Sequence, residues 1–429
     1  MGGPVTDASN ARYSKTAAAG ALGLHALNGL LAALMDRFPS SLDELQHLSF
    51  IRAMGARPRL LPDYDGLRVL SGPAGGFTNA PNYLNHPSPY YLLMGPFDRI
   101  VGGSILGLRL ANLGLSLAAV AILLAAGFQV LKGWRERAVF AAGLVLFPKL
   151  GAVAGLINND NAALFAVAVA VLGLVAWHRG PSARSALILG LGVALCGWTK
   201  LTVLLMVAIS VVTAEGLRLR RTLKLEDPAA YAILVAGFAL AAIPSLANLA
   251  VYGRLLHHAD TFTVPMAERA HLGLGQYVWL FLGYMAEKWA ALEPTDLIQR
   301  LGLALVIGLA ALAVWLGLRQ PEAGQRDADE AAGWRVASAM ILATLPVLAI
   351  HIYFGWRTFR EDGFLEMAQM RYYYGLWPGY ALGLGLLWLR FPRLAWRRPL
   401  TMATGFLLAS ASFSFWAAIM LLKGQSQIG

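Results

Sequence analysis

The chain has 429 residues, of which 57% are hydrophobic and 14% are charged. Soluble globular proteins carry about 25% charged residues, so the composition excludes a soluble domain and a disordered chain. A single cysteine, Cys196, excludes an intramolecular disulfide framework. The formal net charge is +11, from 35 Lys and Arg against 24 Asp and Glu. In a membrane protein this excess follows from basic cytoplasmic loops, so we expect a lipid bilayer as a partner and no nucleic acid.

Apolar runs that are long enough to cross a bilayer recur along the whole sequence. We predict an all-α polytopic membrane protein with a single transmembrane domain over residues 1–429 and about 11 membrane-spanning helices. The predicted spans cover residues 17–36, 105–131, 137–156, 161–178, 185–198, 201–216, 229–251, 299–318, 334–353, 372–390 and 400–422.

Basic residues cluster in alternate loops between these spans. Arg12 and Lys15 precede the first span, and further clusters occupy 218–224 and 390–398. By the positive-inside rule this pattern places the N-terminus in the cytoplasm. The same parity requires a helix break within the apolar run 185–216.

Parity also decides the character of the longer loops. It makes 276–290 an interfacial helix rather than a full span, and it places 37–104 and 252–298 on the outer face of the plasma membrane. Any chemistry is therefore expected on that periplasmic or extracellular side.

The first external loop begins with a segment that has leucines at three-residue spacing, at positions 42, 45 and 48. The spacing predicts a short amphipathic helix lying along the membrane surface. Asp43, Glu44 and His47 belong to this helix and are candidates for general-base catalysis. The alternative is a capping box, Ser41 with Glu44 or Ser40 with Asp43, which gives one of the acids a purely structural role.

The end of the same loop carries a second candidate, His86. It stands before Pro87 and Pro89 and the aromatic pair that follows them. Proline at the start of a helix is favourable, so we expect His86 at the entry to a second surface helix. A histidine in this position is either a hydrogen-bonding structural residue or part of a site.

Polar residues also occur at the outer ends of predicted spans. Asn159 and Asp160 lie in a run of amides between two apolar helices, where either a turn or hydrogen bonding to sugar hydroxyls accounts for them. Lys200 follows the helix break, and either snorkels or holds a phosphate. Arg371 and Tyr372 open the tenth span. Lys149 lies inside the third span, where a lysine is costly and needs a partner, water or a function.

In this order, the motifs resemble the GT-C superfamily of membrane glycosyltransferases, and in particular bacterial relatives of the protein O-mannosyltransferases and the lipid A aminoarabinose transferases. The matching segments are Asp43-Glu44 with His47, His86–Leu92, Asn158–Asp160, Thr199-Lys200 and Arg371–Tyr373. One departure is Asn85, which precedes His86 where mannosyltransferase-like members tend to have an aspartate.

The resemblance implies an inverting transfer of a sugar from a polyprenyl-phosphate carrier to a hydroxyl of a lipid, glycan or protein acceptor. It implies Asp43 as the general base, with Glu44 as the second acid of the catalytic pair. The substrate and phosphate ligands are then His47, His86, Asn159, Asp160, Lys200, Arg371 and Tyr372. Relatives differ in their need for metal, which leaves open a divalent cation, Mg²⁺ or Mn²⁺, at Asp43, Glu44 and His47.

Other classes of membrane protein remain open at the level of sequence. A transporter or flippase for a lipid-linked sugar places polar groups near the bilayer midplane, as Lys149 does. An O-antigen-ligase-like enzyme is favoured by the Arg and His residues of loop 252–298. A structural membrane subunit is sufficient if the acids are caps and the amides are turns.

Overall fold

The computed structural model describes residues 7–40, 42–147, 150–222, 228–255, 272–287, 297–319, 328–362, 365 and 368–390. The α-helices within these ranges are α1 Asp7–Met35, α2 Glu44–Ala56, α3 Pro89–Ile100, α4 Ile105–Phe128, α5 Trp134–Val145, α6 Leu150–Ala154, α7 Asp160–Arg179, α8 Ala183–Thr199, α9 Leu201–Thr222, α10 Pro228–Tyr252, α11 Leu274–Glu287, α12 Leu297–Leu318, α13 Ala328–Asp362 and α14 Trp377–Arg390.

The predicted all-α membrane architecture is confirmed. In the described part of the chain, six helices are long and apolar enough to cross a bilayer, and they lie in α1, α4, α7, α9, α10 and α13. Shorter apolar helices cover Ala183–Thr199 and Ala304–Leu318. The predicted span 400–422 and Lys149 lie outside the described residues, so the number of 11 spans stays a prediction.

The helix break that charge parity required is present at Lys200. This residue is extended, with φ −158° and ψ 123°, between the end of α8 and the start of α9. Its amide donates to the Cys196 carbonyl at 2.9 Å, and its own carbonyl accepts from the Val203 amide at 3.1 Å. The lysine therefore closes one helix and opens the next.

Other predicted spans differ in detail from the observed helices. The third is divided between α5 and α6. The tenth begins as a 3₁₀ turn over Met370–Tyr373, and α14 starts only at Trp377. Pro378 accounts for that start, because proline is tolerated in the first turn of a helix and not in its interior. A helix is observed over most of the predicted interfacial segment 276–290, as α11, and its position at the membrane interface stays a prediction.

The first external loop folds into a compact unit. It contains the two predicted helices, α2 and α3, and a small antiparallel hairpin of β1 Arg68–Leu70 and β2 Phe77–Pro81 that the sequence did not predict. Phe50 of α2 stacks on Tyr91 of α3 with ring centroids 3.8 Å apart. The Leu70 amide donates to Ser49 Oγ at 2.9 Å, which joins the hairpin to α2. The predicted surface helices are thus largely buried against each other and against the spans.

Helices α7 and α8 pack with almost no space between their backbones. A Cβ atom built on Gly173 would lie 2.3 Å from the Leu189 amide nitrogen, and one on Gly192 would lie 2.3 Å from that of Ala170. Both contacts are far shorter than real carbon contacts, so only glycine fits at these two positions. The close packing fixes the start of α7 beside the end of α8, which is where Asp160 and Lys200 lie.

Candidate active site

Asp43 precedes α2 in an unusual backbone conformation, with φ 62° and ψ 22°. Its side chain makes no hydrogen bond to the amides of the helix, so the capping interpretation is wrong for this residue. The Asp43 carboxylate instead accepts a hydrogen bond from the Tyr83 hydroxyl at 2.5 Å and from Arg371 Nη2 at 3.0 Å. The Arg371 contact joins parts of the chain that are 328 residues apart.

Glu44 has a different environment, although it is the adjacent residue. It is completely buried and forms an ion pair with Arg109, with Nη2 at 2.7 Å and Nε at 2.8 Å. The amides of Ser40 and Ile157 donate to the same carboxylate. Each oxygen thus accepts two hydrogen bonds, which is the capacity of a carboxylate. This geometry favours a structural role for Glu44, and the catalytic role that the sequence indicated stays a prediction.

The run of amides before α7 separates into structural residues and one residue of the site. Asn158 donates to the Leu42 carbonyl at 2.9 Å and accepts from the Asp160 amide at 2.8 Å. Asn159 is fully buried and donates to the Thr199 carbonyl at 2.7 Å. Both asparagines therefore hold the acids and Lys200 in place. Asn159 Oδ1 is buried without a hydrogen-bond partner, and the substrate contact predicted for Asn159 stays a prediction.

Asp160 and Lys200 form a buried ion pair with Nζ 2.6 Å from Oδ1. The Lys200 ammonium also lies 4.9 Å from the centre of the Tyr372 ring, and the Arg371 guanidinium lies 5.2 Å from it. Both cations and Asp160 line one cleft. The remaining wall includes Ala163, Leu164, Val167, Thr202, Val203, Tyr372, Tyr374 and Gly375.

The two predicted histidines lie together beside this cleft. The His47 and His86 rings stack with centroids 5.8 Å apart, and His47 Nδ1 is 3.0 Å from the Tyr91 hydroxyl. Burial lowers the pKa of His47 to about 3, although the nearby Asp160 charge opposes the change. Burial, together with the Lys200 charge, lowers the pKa of His86 well below its usual value. At neutral pH both side chains are therefore uncharged hydrogen-bonding groups.

Several residues of the site carried no signal in the sequence. Tyr83 stands in a polar loop without a motif, and Arg109 lies inside an apolar span. Thr202 and His351 are likewise single polar residues in apolar helices. His351 Nδ1 is 3.0 Å from the Tyr373 hydroxyl, which places it behind the Arg371 turn. A functional interpretation of lone intramembrane polar residues is the one signal that could have found Arg109 and His351.

The donors around the cleft are arranged for an anion. Among the described residues, the buried Arg371 Nε and Thr202 Oγ1 have no hydrogen-bond partner. Both residues line the cleft together with Lys200. Lys200 and Thr202 also flank the first residue of α9, and the N-terminus of a helix attracts negative charge through its free amides and its dipole.

The residues that the sequence offered for a divalent cation do not form a metal site. Asp43 is bound to Arg371 and Tyr83, Glu44 is saturated by Arg109 and two amides, and His47 contacts Tyr91. Across the described ranges, no group of three or more His, Cys, Asp and Glu side chains is placed to hold a metal ion.

No protein-family model matches this sequence, and no curated protein matches it either. Among solved structures, the chain is similar to the crystal structure of ArnT from Cupriavidus metallidurans bound to undecaprenyl phosphate. The similarity extends over 86% of this chain and 77% of ArnT, with a TM-score of 0.39 and 16% sequence identity. At this identity the likeness concerns the course of the helices alone.

Proposed function

We propose that this protein is an inverting membrane glycosyltransferase that moves a sugar from a polyprenyl-phosphate carrier to an acceptor hydroxyl. The observation that carries this proposal is the position of Asp43 beside Arg371, at the edge of a cleft that also contains Lys200 and Asp160. A carboxylate next to two cations is what transfer from a phosphate leaving group needs. The ordered motifs that resemble the GT-C superfamily support the same class.

The cations of the cleft bind the phosphate of the sugar donor in this proposal. Lys200, Arg371 Nε and the Thr202 hydroxyl converge on the cleft and act as ligands for the carrier phosphate. Negative charge develops on the phosphate as its bond to the sugar breaks, and such preorganised donors are usually the largest single contribution to catalysis. Arg371 combines a fixed charge with a rigid fork of donors, which suits a phosphate better than a point charge alone.

Asp43 is the proposed general base for the acceptor hydroxyl. It accepts the proton of the acceptor hydroxyl, whose oxygen forms a bond to the anomeric carbon from the face opposite the phosphate. The bond between that carbon and the phosphate oxygen breaks, and polyprenyl phosphate leaves with the electron pair. Asp160 and the uncharged His47 and His86 serve as hydrogen-bond partners for sugar hydroxyls. Glu44 acts indirectly, because it fixes the backbone that presents Asp43.

The proposed orientation places this site on the outer face of the plasma membrane. The site lies where α1 ends and where α7 and α9 begin. The opposite end of the bundle carries the basic residues Lys132 and Arg179. The Asn10 side chain donates to the Lys132 carbonyl at 2.9 Å, and Arg179 forms an ion pair with Asp329 at 2.7 Å. The positive-inside rule assigns that basic end, with the N-terminus, to the cytoplasm.

The substitution Asp43→Asn tests the proposal directly. Asparagine tolerates the left-handed backbone conformation almost as well as aspartate does, so we expect a folded protein. Loss of a general base costs about 10²- to 10⁴-fold in rate. The measurement is sugar transfer and release of free carrier by the purified protein, with a panel of radiolabelled polyprenyl-phosphate sugars.

Asp63→Asn is the matched control, because Asp63 is more than half exposed and its nearest basic group is Arg59 at 4.0 Å. It should leave the rate unchanged. Near wild-type turnover by the Asp43→Asn protein would exclude Asp43 as the base. Release of carrier by neither the wild type nor the control, from any donor of the panel, would contradict the proposed function itself.

A further inference from the structure

The Asp43 carboxylate has two hydrogen-bond partners, Arg371 and Tyr83, and only Arg371 also belongs to the proposed phosphate site. Arg371 holds Oδ2 at 3.0 Å, and Tyr83 donates its hydroxyl proton to Oδ1 at 2.5 Å. Tyr83 comes from the loop between β2 and α3, whereas Arg371 comes from the turn before α14. The two hydrogen bonds to the carboxylate therefore come from separate elements of the fold.

We propose that Tyr83 is a positioning residue that fixes the orientation of the Asp43 carboxylate. This inference rests on the proposed function only as far as the role of Asp43 in transfer is concerned. A hydroxyl that donates to one carboxylate oxygen restricts the rotation of that carboxylate and leaves the second oxygen oriented. Tyr83 is suited to be the donor, because burial and the Asp43 charge both raise the pKa of its hydroxyl, which keeps its proton.

The arrangement leaves Asp43 able to act as a base. A carboxylate oxygen has two lone pairs, so the contacts with Tyr83 and Arg371 leave one on each oxygen for an acceptor hydroxyl. Arg371 has an unpartnered Nε in addition to the Nη2 that binds Asp43. When a phosphate binds that nitrogen, the guanidinium is shared between two anions. The Tyr83 hydroxyl then remains as a partner of Asp43 that is not shared with the phosphate.

The orientation of Asp43 depends on such a partner, because its backbone does not fix the side chain. Asp43 stands at the N-cap position without a capping hydrogen bond, so no amide of α2 restrains the carboxylate. Tyr83 is half-buried and its ring belongs to the core of the first external loop, beside Leu84 and Tyr90. The Tyr83 hydroxyl therefore links the Asp43 carboxylate to the core of the first external loop.

The test is Tyr83→Phe, which removes the hydroxyl and keeps the ring. We expect kcat to fall about tenfold, which corresponds to one lost hydrogen bond to a charged group, with the donor KM unchanged. Tyr252→Phe is the matched control, since the Tyr252 hydroxyl accepts a hydrogen bond from the Tyr64 amide at 3.1 Å, and its removal should leave kcat unchanged.

A second measurement does not depend on transferase activity. Infrared difference spectroscopy, with the carboxylate band assigned to Asp43 through Asp43→Asn, should show a displaced band in Tyr83→Phe, because Oδ1 has lost the hydrogen bond from the tyrosine hydroxyl. An unchanged band together with an unchanged kcat would overturn the role of Tyr83. If the wild type transfers no sugar but the band shifts as expected, the positioning role stands and the proposed function fails.

Discussion

At the scale of single residues, the adjacent acids Asp43 and Glu44 have different surroundings, and we propose a catalytic role for the first and a structural role for the second. Asp43 faces a tyrosine, an arginine and the cleft, whereas Glu44 faces Arg109 in the protein interior. The backbone turn at Asp43 accounts for the difference, because its positive φ directs consecutive side chains to different surroundings before α2 begins.

The Glu44–Arg109 pair should dominate local stability. The side chains are 0% and 4% exposed, and removing one member of a buried pair costs about 3–5 kcal/mol because the other charge is left uncompensated. Glu44→Gln should therefore lower the melting temperature strongly in detergent. The double variant Glu44→Gln, Arg109→Met should lose less stability than the sum of the two single variants, since no isolated charge remains.

Arg59→Gln provides the comparison for this experiment, because the Arg59–Asp63 pair is exposed and its nearest atoms are 4.0 Å apart. Exposed pairs contribute about 0–1 kcal/mol. Equal melting temperatures for Glu44→Gln and Arg59→Gln would show that Glu44 is not a structural residue.

At the scale of helices and strands, the sequence predicted where polar residues end the spans better than it predicted which segments those residues contact. The break at Lys200 followed from charge parity, α2 from leucine spacing and α3 from the prolines after His86. The hairpin was missed because β1 and β2 are three and five residues long, too short for an alternating pattern. Tyr83 was missed for a related reason, since its importance comes from the fold and not from its neighbours in sequence.

The contact between α7 and α8 yields a prediction at the same scale. Gly192→Ala adds a methyl group against the Ala170 backbone, which no rotamer can relieve. Overpacking of this kind costs about 1–3 kcal/mol, and it should also slow transfer, since it separates Asp160 from Lys200. Differential scanning fluorimetry and the carrier-release assay measure the two effects.

Gly114→Ala serves as the reference for that substitution. Gly114 lies within α4, and an added Cβ would meet nothing within 4 Å. Alanine there should be neutral or slightly stabilising, because glycine is the poorer helix former. If Gly192→Ala were as stable and as active as Gly114→Ala, close packing of α7 on α8 would not be what sets the distance between Asp160 and Lys200.

At the scale of the whole molecule, the cleft and the described basic residues Lys132 and Arg179 lie at opposite ends of the bundle. This arrangement predicts which positions face the outside of the cell. A cysteine introduced at Ala74, in the exposed tip of the hairpin loop, should react with a membrane-impermeant maleimide in intact cells. A cysteine at Lys132, which is exposed at the basic end, should react only after the membrane is opened.

Cys196 does not interfere with this labelling, because it is completely buried, so the unmodified chain serves as the blank. The reverse pattern, with position 132 labelled in intact cells and position 74 protected, would invert the proposed topology and place the cleft in the cytoplasm.

Arg109 also sets the level at which the chemistry takes place. Its guanidinium donates to the carbonyls of Ala33, Asp36 and Arg37 at the end of α1, as well as to Glu44. The loop that carries Asp43 is thus clamped to the point where the first helix ends. If Asp43 is the base that we propose, this clamp fixes the position of its carboxylate relative to the end of the first helix. We therefore propose that acceptors are selected by how far their hydroxyl reaches toward this position as well as by their chemistry.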